Sequence, residues 1–396
     1  MQIGVVGRPL ATSGKGPNLE EAVRFLDRYD PNLAREDWSQ EVPGGWMYEP
    51  TVNRQGTIFV GGGSGNLLAF DPKGAILWSQ PTGTVLHAPA LSPDQSRVYA
   101  ASMDNRLVCL DPSGQVVWER SLGYGGLGEP TVGPDGTIYV GSLANQVVAF
   151  DPRGELLWTS PTEGAVQTRP AVGPDGTVYA RDNRGNVMAL DPRDGKPRWT
   201  LETQGYDGGP IAVHPDGFVV VTDWKDVKFV DAAGGGLIRS VPANTGREAG
   251  PAIGPDGTIY LAGWDGNLTA LNPDGTRKWV VHAEVGLATT PRLAADGTIV
   301  SRGHDRRILA FHPEGRLLWQ SPTYQYNGAS IMSEPAVAPD GTVYAGNQNS
   351  TLVALRFVSP EEQFREASQV PGKGNGVLLG EDWILVGGTR LRKRRF

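Results

Sequence analysis

Short apolar runs recur along this chain at even spacing, each bounded by turns rich in Pro, Asp and Gly. The unit opening at Pro130 shows the pattern most clearly. Thr137-Ile138-Tyr139-Val140 follows Pro134-Asp135-Gly136. Val147-Val148-Ala149-Phe150 then precedes Asp151-Pro152-Arg153-Gly154 and Leu156-Leu157-Trp158. The runs are β-branched and aromatic with near period-2 alternation, which predicts strands. Proline presets φ at the first central position of a type I turn, Asp suits the second and Gly the exit. Pro-Asp-Gly recurs at 174–176, 215–217, 255–257 and 339–341, and Asp-Pro-x-Gly at 71–74, 111–114 and 151–154. Each unit reads as four strands: a short one after the opening proline, one after Asp-Gly, one ending before the turn Asp, and one ending in tryptophan.

Tryptophan marks the period. Trp38, Trp78, Trp118, Trp158 and Trp199, then Trp279 and Trp319 after a skipped beat, return every 40 residues or so. A fixed period in this range signals a repeat architecture. Eight prolines open the units, at 50, 89, 130, 170, 210, 251, 291 and 335. Trp38 precedes the first unit, while the last, ending near Phe357, has no tryptophan. The segment around Trp38 is therefore expected to supply the missing strand of the last unit and close a ring. The expected fold is all-β, an eight-bladed β-propeller over 38–357, an architecture that leaves only short, protected sheet edges. Frequent Gly and Pro exclude a helical solenoid.

The string Gly-Thr-Val/Ile-Tyr-Val-Gly-Ser, then Leu/Val-x-Ala-Leu/Phe-Asp-Pro-x-Gly-x-x-x-Trp, resembles the PQQ-type propeller repeat. That repeat occurs in quinoprotein alcohol dehydrogenases and in the outer-membrane assembly scaffold BamB. The WD40 repeat fits less well, because Gly303-His304 and Trp264-Asp265 fall in loops. The enzymatic branch implies a quinone cofactor, calcium, a catalytic Asp and, in many members, a vicinal disulfide. With Cys109 as the single cysteine the disulfide is impossible, and no site motif carries over. Cys109 occupies a slot where six other units have alanine, the place of a small buried residue. Unit five departs from the pattern: Ile238 or Arg239 stands where tryptophan is expected, and Phe229 where the others carry a small residue. This reads as volume compensation.

A net charge of −7 with no recurring basic stripe argues against nucleic-acid binding. No run of about 18 apolar residues is present, so no transmembrane helix is expected. Residues 1–16 lack the apolar core of a signal peptide, and the lipidation cysteine of BamB-like proteins is missing, so the default expectation is cytoplasmic.

Outside the repeat lie an N-terminal extension (1–37) and a C-terminal one (358–396). Helix starts are expected near Asn18 and Ser359, and a hairpin at Val377–Leu379 and Trp383-Ile384-Leu385-Val386. A basic tail with Arg392, Arg394 and Arg395 follows. Ring closure makes the extensions neighbours. They either fold together as a lid on the last blade or dock on a partner through Trp383–Val386 and the tail.

One propeller face consists of the repetitive turns; the other carries variable loops, where function concentrates. Candidate anchors there are Trp46, Tyr48, Tyr124, Tyr206, Trp224, Trp264, Arg306, Tyr324 and Tyr326. The residues before the unit prolines are expected near the channel mouth, among them Glu49, Glu129, Arg169 and Glu334, a set able to meet a cation or polar ligand. His214 and His312 sit at turn positions and read as structural. No nucleophile elbow, metal-ligand spacing or phosphate loop appears. The expected function is a non-catalytic scaffold for protein partners in a larger assembly, with no cofactor, metal or small-molecule ligand. The alternative is a quinoprotein-like enzyme or a small-ligand or cation sensor at the channel mouth.

Overall fold

The computed structural model describes residues 34–42, 47–85, 87–123, 125–203, 209–223, 225–245, 249–321, 333–347 and 350–357. Strands at 4–5, 377–380, 383–386 and 389–392 are described by backbone alone. Among these residues every regular element is a strand. The helix starts expected near Asn18 and Ser359 lie outside the described residues.

Eight four-stranded sheets form the blades of a β-propeller. In blade 1, Met47–Val52, Ile58–Gly62, Asn66–Phe70 and Ile76–Pro81 pair in chain order from the axis outwards. Blade 8 takes Ala336–Val337, Val343–Gly346 and Thr351–Phe357 from the end of the repeat, and its outer strand, Ala34–Glu41, from the beginning. Trp38 lies in that strand, so the ring closes as the tryptophan period predicts. Arg356 Nε donates to Asp37 Oδ1 at 2.6 Å within the closing blade. The Met47 amide then donates to the Asn347 carbonyl at 3.1 Å, carrying the chain into blade 1.

The second and third strands of a blade are buried on both faces, so alternation here changes the partner rather than the polarity. Ile138, Val140, Val148 and Phe150 of blade 3 pack on Tyr99, Leu107 and Cys109 of blade 2. Tyr139, Val147 and Ala149, in between, pack on Val178, Ala180 and Leu190 of blade 4. The turns are fixed by their acids. Asp71 Oδ1, for example, accepts from the amides of Lys73 and Ala75 at 2.9 and 2.8 Å.

The outer strands do not end in tryptophan, as the sequence suggested, but run through it. Trp158 sits inside Leu156–Pro161, opposite Ala149, with a bulge between Ala149 and Phe150. The bulge aims the ring at the next blade. The Nε1 of Trp38, Trp78, Trp118, Trp158, Trp199 and Trp279 each donates to a turn carbonyl of the following blade, at 2.8–3.0 Å. The turn glycine beneath lets the ring lie flat. Gly154 has φ +81°, and a Cβ there would stand 2.6 Å from the Trp118 ring.

Blade 5 keeps this latch without an indole. Arg239 lies opposite Phe229 in register, its guanidinium 5.8 Å from the Phe229 ring centre, and its Nη1 donates to the Asp274 carbonyl of blade 6. Phe218 and His214 extend the stack, with ring centres 5.4 and 4.2 Å apart along it. His214 also bonds the Gly257 carbonyl at 3.0 Å, a structural role.

Residues 36–356 form one compact unit; 1–35 and 357–396 form a second. In the second, Val377–Gly380 pairs with Trp383–Val386 as the expected hairpin. Thr389–Arg392 adds a third strand, and Gly4–Val5 a fourth. The two extensions thus share one sheet. The sequence shows Thr389–Arg392 only as part of a basic tail and Gly4–Val5 as no element; the structure pairs them as strands.

Candidate functional site

The short innermost strands surround an axial cavity of about 670 Å³. Their prolines and aliphatic side chains make most of its wall, because a strand two residues long offers the axis few side chains. Charge enters at the mouth. Glu129 and Arg169 line it from blades 3 and 4, and Thr290 and Arg292 from blade 7. Arg169 Nη1 lies 3.4 Å from Glu129 Oε1. Arg292 Nη2 donates to Glu334 Oε2 at 2.5 Å, while Glu334 Oε1 accepts from the Thr290 amide at 3.1 Å. Thr290 is itself held, its Oγ1 accepting from the Gly250 amide at 2.9 Å.

Glu49 has no ion-pair partner among the described residues. Burial holds its carboxyl well above the ordinary value, and the carboxylates of Glu334 and Glu129 push the same way; Arg292 and the Ala88 amide pull against them. His87 is lowered by burial, against the opposing pull of Glu129 and Glu334. Arg292 is raised: burial opposes its charge, but Glu334, Glu129 and Glu49 outweigh that. Three carboxylates, two guanidinium groups and one imidazole thus share one field, in which like charges and burial disfavour a further anion.

Of the residues singled out from sequence, Glu49, Glu129, Arg169 and Glu334 come together here. Tyr48, beside Glu49, is half-buried, and burial raises its phenol. Trp264 and Arg306 stand on loops between the second and third strands of blades 6 and 7, further from the axis. Trp264 is 50 % exposed, with the His304 ring edge-on at 5.3 Å. Arg306 is exposed at φ +73°. Trp46, Tyr124, Tyr206, Trp224, Tyr324, Tyr326, Arg394 and Arg395 lie outside the described residues. Trp383, Ile384, Leu385, Val386 and Arg392 are placed in strands by backbone alone. Arg292 and His87 were not anticipated. Arg292 follows a unit proline, where the other units carry Thr51, Ala90, Thr131, Ala171, Ile211, Ala252 and Ala336; that column alone would have exposed it. Among the described residues no group of three His, Cys, Asp or Glu side chains is placed to hold a metal ion, and no helix is long and apolar enough to cross a membrane.

The sequence profile described as outer membrane protein assembly factor BamB matches residues 25–111, 65–209 and 224–377. The crystal structure of BamB from Moraxella catarrhalis superposes with a TM-score of 0.66 at 16% identity, covering 82% of this chain and 100% of that one. The crystal structure of the computationally designed Ika8 protein gives 0.67 at 15%, covering 80% and 98%. A search of curated proteins returned no match. With the blade count, the closing strand and the family profile in agreement, the chain belongs to the BamB family of PQQ-type β-propellers.

Proposed function

We propose that this protein is a non-catalytic scaffold that presents the variable face of a rigid ring to protein partners in a larger assembly. The observation that carries this reading is Trp264, a half-exposed indole braced by His304 on that face. A large ring held in place and left in water loses little entropy on contact, which is why Trp so often anchors interfaces. The latches between blades keep such a loop in register with its neighbours. The name of the BamB family describes an assembly factor, which agrees with a partner-binding role. The reading includes the cytoplasmic expectation, checked by cell fractionation. The test of function is affinity isolation from the native source with the wild-type chain and with Trp264→Ala. A stoichiometric partner retained by the first and lost by the second, at equal melting temperature, supports the reading. Equal recovery, or no partner, contradicts it.

A further inference from the structure

The sheet built from the two extensions sorts its residues by chemistry, which the chain order does not show. Its register pairs Leu379 with Ile384, Ile384 with Leu391 and Leu391 with Val5. Val377 pairs with Val386, and Val386 with Thr389. Directly paired residues share a face, and successive residues alternate between faces. One face is therefore aliphatic apart from Thr389. The other places Leu378 and Leu385 in a row with Arg390, and Trp383 in a row with Arg392.

The aliphatic face can supply a core. The face with two guanidinium groups is unfit for one, since burying an unpaired charge is costly. Its charge is also in surplus. Arg390, Arg392, Lys393, Arg394 and Arg395 fall within 389–396, which contains no acid. Glu381 and Asp382, between the first two of these strands, can match two of the five at most. Removing those five from the 36 Lys and Arg leaves 31 in residues 1–388 against 43 Asp and Glu, a net charge of −12.

We propose that the face bearing Trp383, Arg390 and Arg392 binds an extended acidic segment of a protein partner. Carboxylates at alternate positions of an extended strand recur about every 6.6 Å, the spacing of Arg390 and Arg392 along theirs. Trp383 and Leu385 stand opposite the two arginines in register, so an apolar residue lies beside each charge. Nucleic acid and anionic membrane fit less well. Both carry charge well past the sheet and meet the repulsion of the remaining chain. A short segment stays within the Debye length of the cations, about 10 Å at 0.1 M salt. A second copy would bring like charges together.

The experiment is fluorescence anisotropy of the full chain at about 0.1 M salt. The probes are labelled octapeptides alternating Glu, Gln or Lys with Leu, an oligothymidylate of equal charge, and phosphatidylserine vesicles. The Glu peptide is expected to bind, with the Gln and Lys peptides at least about tenfold weaker. Arg390→Gln with Arg392→Gln should weaken it roughly 3- to 30-fold, the strength of two surface ion pairs. Arg390→Lys with Arg392→Lys, which keeps the charge, should stay within about threefold of the wild type. Arg394→Gln with Arg395→Gln removes the same charge beyond the strand and should cost a smaller factor. The proposal is overturned by no Glu-peptide binding below about 1 mM, equal affinity for the Gln peptide, or equal losses in the two Gln pairs. Oligothymidylate or vesicles binding as tightly, or self-association that Arg390→Gln with Arg392→Gln abolishes, overturns it too.

Discussion

The indole of Trp38 donates its Nε1 hydrogen to the carbonyl of Pro72 at 2.9 Å, while its ring tilts against Tyr344 at 5.7 Å. One side chain thereby ties the N-terminal strand both to the last blade and to the turn of the first. Trp38→Ala removes the ring and its hydrogen bond together. A fully buried Trp→Ala change costs about 3–5 kcal/mol, and the half-buried Trp38 should cost about 2–3. Trp158→Ala, at a seam between blades 3 and 4, should reach the full figure of about 3–5 kcal/mol. Urea unfolding of the two variants measures both.

Blade 5 makes a sharper case, because two departures from the repeat face each other. Phe229→Ala alone leaves a cavity, worth about 3–5 kcal/mol. Arg239→Trp alone crowds Phe229, at about 1–3 kcal/mol. The double variant restores the Ala–Trp pairing of the other blades, so it should cost at least about 1 kcal/mol less than the sum. Additive costs would mean that the two residues do not compensate.

Glu49 links the mouth to pH. Its folded carboxyl holds a proton above the pH at which the unfolded chain releases it, owing first to burial and then to Glu334 and Glu129. The unfolded state therefore binds fewer protons above about pH 4, and stability falls as pH rises through that region. Arg292 opposes the shift, and Arg169 and His87 share the mouth. Glu49→Gln should match the wild type in melting temperature below about pH 4 and exceed it increasingly towards neutral pH. A wild type that melts higher at pH 7 would contradict this.

Burial pushes the Cys109 thiol up to about 12. At pH 8 the native protein should react negligibly with iodoacetamide, since the thiolate is the nucleophile. Full alkylation should appear only on unfolding in urea.

Much of this architecture was legible because each blade repeats one solution to one packing problem. The tryptophan period reports a latch to the next turn, and the turn glycine reports the ring above it. The lone early tryptophan reports the closing strand. What escaped was non-periodic. Gly4–Val5 pairing with Thr389–Arg392 joins short segments with no local apolar pattern. The outer strands run past tryptophan because the residues after it, Thr159-Ser160-Pro161 in blade 3, stay in register with the third strand although they carry no apolar pattern. At the mouth, Glu49, Glu129, Arg169 and Glu334 share one column, the residue before a unit proline. Arg292 and His87 stand in flanking columns, and the charges they meet depend on ring geometry.

Closure is tested most directly by hydrogen exchange along Ala34–Glu41. As the outer strand of blade 8, it should bond alternate amides to Thr351–Phe357, and these should exchange at least about 100-fold more slowly than an unstructured chain. Exchange of the whole segment at the unprotected rate, in a protein whose other blades stay protected, would contradict a ring sealed by its first strand.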